Sequence, residues 1–264
     1  MTAFIKTYAD PAMALQQTFD VAVVMPTILR PEIETALRSI FAQRFDGRIQ
    51  VLIGIDKPRG DLEVIDRACR DRPAHCAVQV IYVGYSTALR HGGLSRAGDG
   101  GVLRCVLSFL ANTPYVAYLD DDNWWHPDHL RLLRQTLGGP ADWAFSLRWF
   151  VHPATGRNVC IDRWESVGPG AGLYARMFGG FVDPNSLMLD KTRCASVLPR
   201  WTAPLDVDET GMSADRNIFD GLSRNFAVAS SGEPTSYYRL DPTDGMHATR
   251  MELFGTLYEQ AGAA

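Results

Sequence analysis

Cysteine pairing is the first thing this sequence lacks. Its five cysteines, Cys69, Cys76, Cys105, Cys160 and Cys194, are odd in number and form no Cys-x-x-Cys pair. That predicts reduced thiols and argues against a cysteine-built zinc site. No apolar run approaches the roughly 20 residues that a membrane-spanning helix needs. The opening stretch MTAFIKTYADPAMALQQ has no basic segment followed by a long apolar one, so no signal peptide is expected. The expected location is the cytoplasm, with peripheral membrane contact left open. Positive charge is not in surplus either. Lys and Arg number 26 against 30 Asp and Glu, for a formal net charge of −4 and a pI near 5.9, which argues against a general nucleic-acid binder. There is no internal repeat, no low-complexity linker and no Gly-x-Gly-x-x-Gly after a strand. The 264 residues are therefore read as one domain, 1–264, long enough for a sizeable core.

What is present is alternation. VAVVMPT (21–27), IQVLIGID (49–56), VQVIYVG (78–84) and YVAYLD (115–120) are apolar runs of strand length. Between and after them, PEIETALRSIFAQ (31–43), LEVIDRACRD (62–71), GVLRCVLSFLAN (101–112) and HPDHLRLLRQTLG (126–138) read as helices. In the third of these, Val102, Val106, Phe109 and Leu110 are expected to face inward. The order predicts an α/β fold, a parallel sheet with helices on both faces. Such sheets bind ligands at the carboxyl ends of their strands. Pro26-Thr27, Asp56 and Asp120 to Asp122 leave the sheet at those ends. The second half is less regular. WAFSLRWFV (143–151) is strand-like, 163–180 is a glycine-rich loop or lid, FVDPNSLMLDK (181–191) is a loop entering a strand, and SADRNIFDGLSRN (213–225) is an amphipathic helix. FAVASS and SYYRL read as two short strands.

The stretch LDDDNWWHP (119–127) carries the chemistry. Adjacent carboxylates repel, so three at a strand end need a cation or good solvation. Mg²⁺ or Mn²⁺ suits oxygen ligands and bridges carboxylates to substrate phosphates. The alternative is a solvated acidic loop that caps the next helix.

YVAYLDDDNWWHPDHL resembles the segment around the DXD motif of glycosyltransferase family 2, whose fold is GT-A, a Rossmann-like, mostly parallel sheet with a smaller acceptor-side lobe. The resemblance runs from about Val21 to about His247. It implies an inverting transfer, dependent on Mn²⁺ or Mg²⁺, from a nucleotide-diphosphate sugar to a hydroxyl of a carbohydrate, lipid-linked or small-molecule acceptor. A UDP-sugar is the default donor and a GDP-sugar the alternative. Residues of about 20–125 then form the donor half, and about 126–264 the acceptor half with a flexible C-terminal segment. By the same resemblance Pro26 and Thr27 lie near the nucleotide, Asp56 holds the base, and Arg104 serves the nucleotide or phosphates, with Cys105 where the family usually has asparagine. Asp120 faces the ribose, Asp122 binds metal, and Asp121 contributes to either. Arg239 reaches the diphosphate and His247 is a further metal ligand.

An inverting transfer needs a base for the acceptor hydroxyl. The family places it at the start of a late helix, which points to Asp215. Ser213 is a candidate cap for that helix, and Asp206, Asp208 and Glu209 are rival bases. Trp124 and Trp125 offer apolar faces to a sugar ring, with one of them expected to be core. Two other readings compete. A sugar-phosphate nucleotidyltransferase would want a glycine-rich Arg/Lys loop after the first strand, which MPTILRPE lacks despite Arg30. A non-catalytic nucleotide-sugar-binding protein would have no need of Asp120, Asp122 and Asp215 together.

Overall fold

A computed structural model describes residues 2–98, 100–205 and 214–263. In chain order the strands and helices are β1 (Phe4–Tyr8), β2 (Val21–Thr27), α1 (Ile33–Phe41), β3 (Ile49–Ile55), α2 (Glu63–Cys69), β4 (Cys76–Tyr82), α3 (Gly101–Leu110), β5 (Tyr115–Tyr118), β6 (Trp124–Trp125), α4 (His129–Thr136), β7 (Trp143–Val151), β8 (Asn158–Ile161), β9 (Gly168–Pro169), α5 (Ala175–Phe178), β10 (Gly180–Phe181), β11 (Leu187–Asp190), α6 (Lys191–Cys194), α7 (Ala214–Asn225), β12 (Val228–Arg239) and α8 (His247–Gly262). The main sheet runs β1-β4-β3-β2-β5-β11-β7-β12-β6, with β8 beside β7. Its centre, β4-β3-β2-β5, is parallel, as the strand–helix alternation requires. Beyond it, β11 runs antiparallel to both β5 and β7.

Alternating side chains of the central strands feed two cores. Val21, Val23 and Met25 of β2 pack with Ile33, Leu37 and Ile40 of α1 and with Ile65 of α2. Ala22 and Val24 pack on the other face with Leu103 and Leu107 of α3 and Ile218, Phe219 and Leu222 of α7. Helices therefore cover both faces. A third cluster, Phe150, Leu240 and Phe254, seats α8, where the sequence reading assigned no helix. β1 was not anticipated either. It pairs antiparallel with β4 along one edge of the sheet.

The inward face of α3 differs from expectation. Val106, Phe109 and Leu110 are each about half exposed, at 49%, 52% and 54%, while Leu103, Arg104, Cys105, Leu107 and Ser108 are buried. Two apolar stripes compete on this helix, and polar partners select between them. Arg104 reaches Asp120, and Ser108 Oγ lies 3.0 Å from the Tyr118 hydroxyl. Leu103 and Leu107 also fill the space over Gly54 of β3, where a Cβ would meet them at 3.2 and 3.0 Å. The two short strands expected after α7 form one strand, β12, bent by register shifts around Pro234. The glycine-rich 163–180 segment carries α5 and the β9–β10 pair.

Candidate active site

The carboxyl ends of β2, β3 and β5 open on one cavity of about 500 Å³. It is lined by Pro26 and Thr27, by Asp56, by Arg104 and by Asp120, Asp121 and Asp122, together with Arg30, Lys57, Arg59, Arg90 and His91. Seven residues singled out from sequence thus converge. α3 begins at this cavity through Gly100, whose φ is +72° and whose place a Cβ would spoil by meeting Pro26 Cβ at 2.6 Å.

Each aspartate has its own partners. Asp120 is paired with Arg104, which is buried and lies over the Trp201 ring. Asp121 accepts the Thr27 hydroxyl at 2.7 Å and the Ile28 N–H at 3.2 Å. Asp122 is paired with Arg30, which also stands 3.7 Å from Asp121. Burial, and then the charges of Asp120 and Asp121, push the Asp122 carboxyl up to about 7 against the pull of Arg30. Burial likewise raises Asp121. Asp56 accepts from Ser86 Oγ and the Thr87 N–H, both at 2.8 Å.

The loop that presents Arg30 is strained. Leu29 is a non-glycine residue at φ 63°, with its side chain in the core, a backbone cost of about 1–2 kcal/mol. Its N–H donates to Thr27 Oγ1 at 2.8 Å. Gly60 makes room for the turn, since a Cβ there would stand 2.3 Å from the Leu29 carbonyl oxygen. Strain held this way clusters at functional sites.

Asp215, Arg239 and His247 do not line the cavity. Asp215 sits half-buried in the first turn of α7, and Ala214 beside it packs against Gly101 at the start of α3. Burial first, and Asp183 after it, raise the Asp215 carboxyl to about 6, against its bond from the Arg216 N–H and the charges of Arg216 and Arg104. Arg239 ends β12 and is held by Glu32 at 2.7 Å and by the Pro153 carbonyl at 3.0 Å. His247 opens α8, edge-on to Tyr258 at 5.9 Å, with Nδ1 buried and unpartnered among the described residues. Ser213 and the rival bases Asp206, Asp208 and Glu209 lie outside the described residues.

One of the two tryptophans is core, as expected. Trp125 is buried and donates its indole N–H to the Asn185 carbonyl at 2.7 Å. Trp124 is half-buried and stacks on Tyr237 at 5.7 Å.

Among the described residues no group of three or more His, Cys, Asp or Glu is arranged to hold a metal ion. The donor set nevertheless fits one. Magnesium and manganese commonly use one or two carboxylates plus substrate phosphates, not an all-protein cage. Here three clustered carboxylates face two guanidiniums, and one carboxylate is driven towards neutrality by burial first and then by the other two.

The sequence reading gave no role to Lys57, Arg59, Arg90 and His91, and used Arg30 only to weigh a competing enzyme class. Four of these five had a signal: Arg30, Lys57 and Arg59 follow the exits of β2 and β3, and Arg90 lies in a short 3₁₀ turn, Leu89–His91, in the connection after β4. His91 sits beside Arg90 with no signal of its own.

No family model and no curated protein matches the chain. Solved structures do. S. aureus TarS 1–349 in complex with UDP-GlcNAc aligns with a TM-score of 0.58 and 15% identity over 90% of this chain and 66% of that one. Its complex with UDP gives 0.56 and 15% over 88% and 64%. The mannosyltransferase PcManGT from Pyrobaculum calidifontis, in complex with GDP-Man and Mn²⁺, gives 0.56 and 15% over 94% and 65%. The chain thus spans just under two thirds of the length of these similar structures. No described helix is long and apolar enough to cross a membrane. With its parallel centre, helices on both faces and this likeness, the chain has the GT-A fold.

Proposed function

We propose that this chain is an inverting, metal-dependent glycosyltransferase that moves a sugar from a nucleotide-diphosphate sugar, with UDP as the first base to test and GDP as the second, to an acceptor hydroxyl. The observation that carries the reading is the convergence of Pro26-Thr27, Asp56, Arg104 and the three aspartates on one cavity at the strand ends. The similar structures were solved with UDP, UDP-GlcNAc, and GDP-Man with Mn²⁺, which supports the donor class.

In this reading Asp56 accepts hydrogen bonds from the base, and Asp120 holds the ribose. Asp122 holds Mn²⁺ or Mg²⁺, with Asp121 behind it. Bound there, the cation supplies positive charge for the diphosphate that leaves. Arg104 and Arg30 add cationic donors to the same cavity, and such preorganised charge stabilises what develops in the transition state. Asp215 takes the acceptor proton as the acceptor oxygen bonds to the anomeric carbon and the bond from that carbon to the diphosphate breaks. A carboxylate raised to about 6 is a stronger base than an ordinary one and is still ionised at neutral pH. Arg239, outside the cavity lining and tied to Glu32 and the Pro153 carbonyl, is kept as a diphosphate contact only for a state in which it leaves those partners. His247 is kept as a ligand candidate only for a state in which α8 has moved, because its ring here packs on Tyr258.

The test is calorimetric titration of UDP and GDP, each with and without Mn²⁺, followed by metal-dependent hydrolysis of the matching nucleotide sugar. Tight binding of one nucleotide only with metal is the expected result. Binding of neither removes the reading.

A further inference from the structure

Asn185 is wholly buried and lies far in sequence from the strand ends that build the cavity, yet it grips Asp120 from two sides. The Asp120 N–H donates to Asn185 Oδ1 at 2.6 Å, and Asn185 Nδ2 donates back to Asp120 Oδ2 at 2.8 Å. The same Nδ2 donates to Asp183 Oδ1 at 2.6 Å. An amide has two such hydrogens, and here each meets a different carboxylate. Arg104 holds the other oxygen of Asp120, so both oxygens of that carboxylate are fixed.

Asp183 leads deeper. It accepts Arg148 Nη1 at 2.6 Å, and the remaining nitrogens of Arg148 reach Asp162 and Glu165, both at 2.8 Å. Glu165 accepts Arg250 of α8 through both oxygens, at 2.7 and 2.8 Å. Arg148, Asp162, Glu165, Asp183 and Arg250 are all buried. A continuous run of charge-assisted bonds therefore joins α8 to the first aspartate of the cavity.

We propose that Asn185 is a positioning residue that fixes the Asp120 carboxylate for the donor, and that the ladder Asp183–Arg148–Glu165–Arg250 ties this orientation to the docking of α8. The inference rests on the donor-site reading above. Without the amide, Asp120 and Asp183 would face each other with no donor between them, and Asp120 would be held through one oxygen only, by Arg104. Holding a reacting or binding group within a narrow range of geometry is worth large factors in affinity and rate.

The experiment uses the whole chain, titrated with UDP and GDP in the presence of Mn²⁺, in four forms: wild type, Asn185→Leu, Arg250→Met and the double variant. Asn185→Leu keeps the branched four-atom side chain, though a bulkier one, and removes both donors and the acceptor of the Asp120 N–H. It is expected to fold cooperatively and to bind nucleotide about tenfold more weakly, the scale of one lost hydrogen bond to a charged group. Arg250→Met touches no cavity residue and is expected to weaken binding in the same direction. The double variant is expected to fall short of the product of the two effects, which marks a shared network. A folded Asn185→Leu protein with wild-type nucleotide affinity and a lowered melting temperature alone would mean a packing role and overturn the proposal. Should that variant not fold, Arg250→Met decides: weakened binding supports the ladder, and unchanged binding overturns it. If the wild type binds neither nucleotide, the donor reading falls and this inference with it. If the wild type binds and the variants match it, only the inference falls.

Discussion

Asp215→Asn replaces one carboxylate oxygen in the first turn of α7 and should separate activity from stability. The carboxyl is raised from 3.8 to about 6, chiefly by burial. An acid with that constant is about nine tenths ionised at pH 7 and about one tenth at pH 5. Turnover by wild type is therefore expected to drop about tenfold between those two values, whereas an ordinary carboxylate would remain almost fully ionised throughout. Asp215→Asn should lose about 10²- to 10⁴-fold in turnover, the usual contribution of a general base, with nucleotide affinity close to wild type. The stability effect has the opposite sign. Between 3.8 and about 6 the folded chain holds more protons than the unfolded one, so stability falls as pH rises through that window and the whole cost is present above it. That cost is at most about 3 kcal/mol. The variant should consequently melt higher than wild type at pH 8, with the difference gone below pH 4. Metal-dependent hydrolysis of a UDP- or GDP-sugar against pH, with water in place of the acceptor, and thermal melts at the two extremes test both halves. Near-normal turnover in the variant, or an acid limb near pH 4 in the wild type, would refute the assignment of Asp215 as base.

Asp122→Ala is expected to abolish the Mn²⁺ dependence of nucleotide binding. Calorimetry showing full metal-dependent affinity would remove Asp122 as ligand. On the proposed metal role of Asp122, Arg30, 44% exposed and paired with it, would compete with a divalent ion for that carboxylate. Arg30→Met should accordingly raise Mn²⁺ affinity in the nucleotide-free protein while lowering nucleotide affinity; a fall in both would mean that Arg30 only supports the loop. Arg148→Met strands three buried acids, Asp162, Glu165 and Asp183, and is expected to cost about 3–5 kcal/mol. A melting temperature within error of wild type would show that those acids take up protons at little cost.

Local pattern located the cavity lining because much of that lining is strand exits. Continuous apolar runs such as VAVVMPT are buried on both faces, and a buried run must end where polar groups can reach solvent or ligand, which marks Thr27, Asp56 and Asp120 directly. The same logic extends to Arg30, Lys57 and Arg59, one to three residues further along. α3 shows the limit of the method. Its sequence supports two apolar stripes, and the choice fell to partners distant in sequence, Asp120 for Arg104 and Tyr118 for Ser108. Asn185 lies beyond that limit altogether. Nothing near it in FVDPNSLMLDK distinguishes an amide that caps a turn from one that bridges two carboxylates, because its place is set by β11 running antiparallel beside β5. That reversal lays Asn185 beside Asp120 and brings Arg148, from the neighbouring β7, within reach of Asp183. Strand-end chemistry is thus readable one element at a time, while the orientation of the carboxylates depends on pairings that exist only once the sheet has closed.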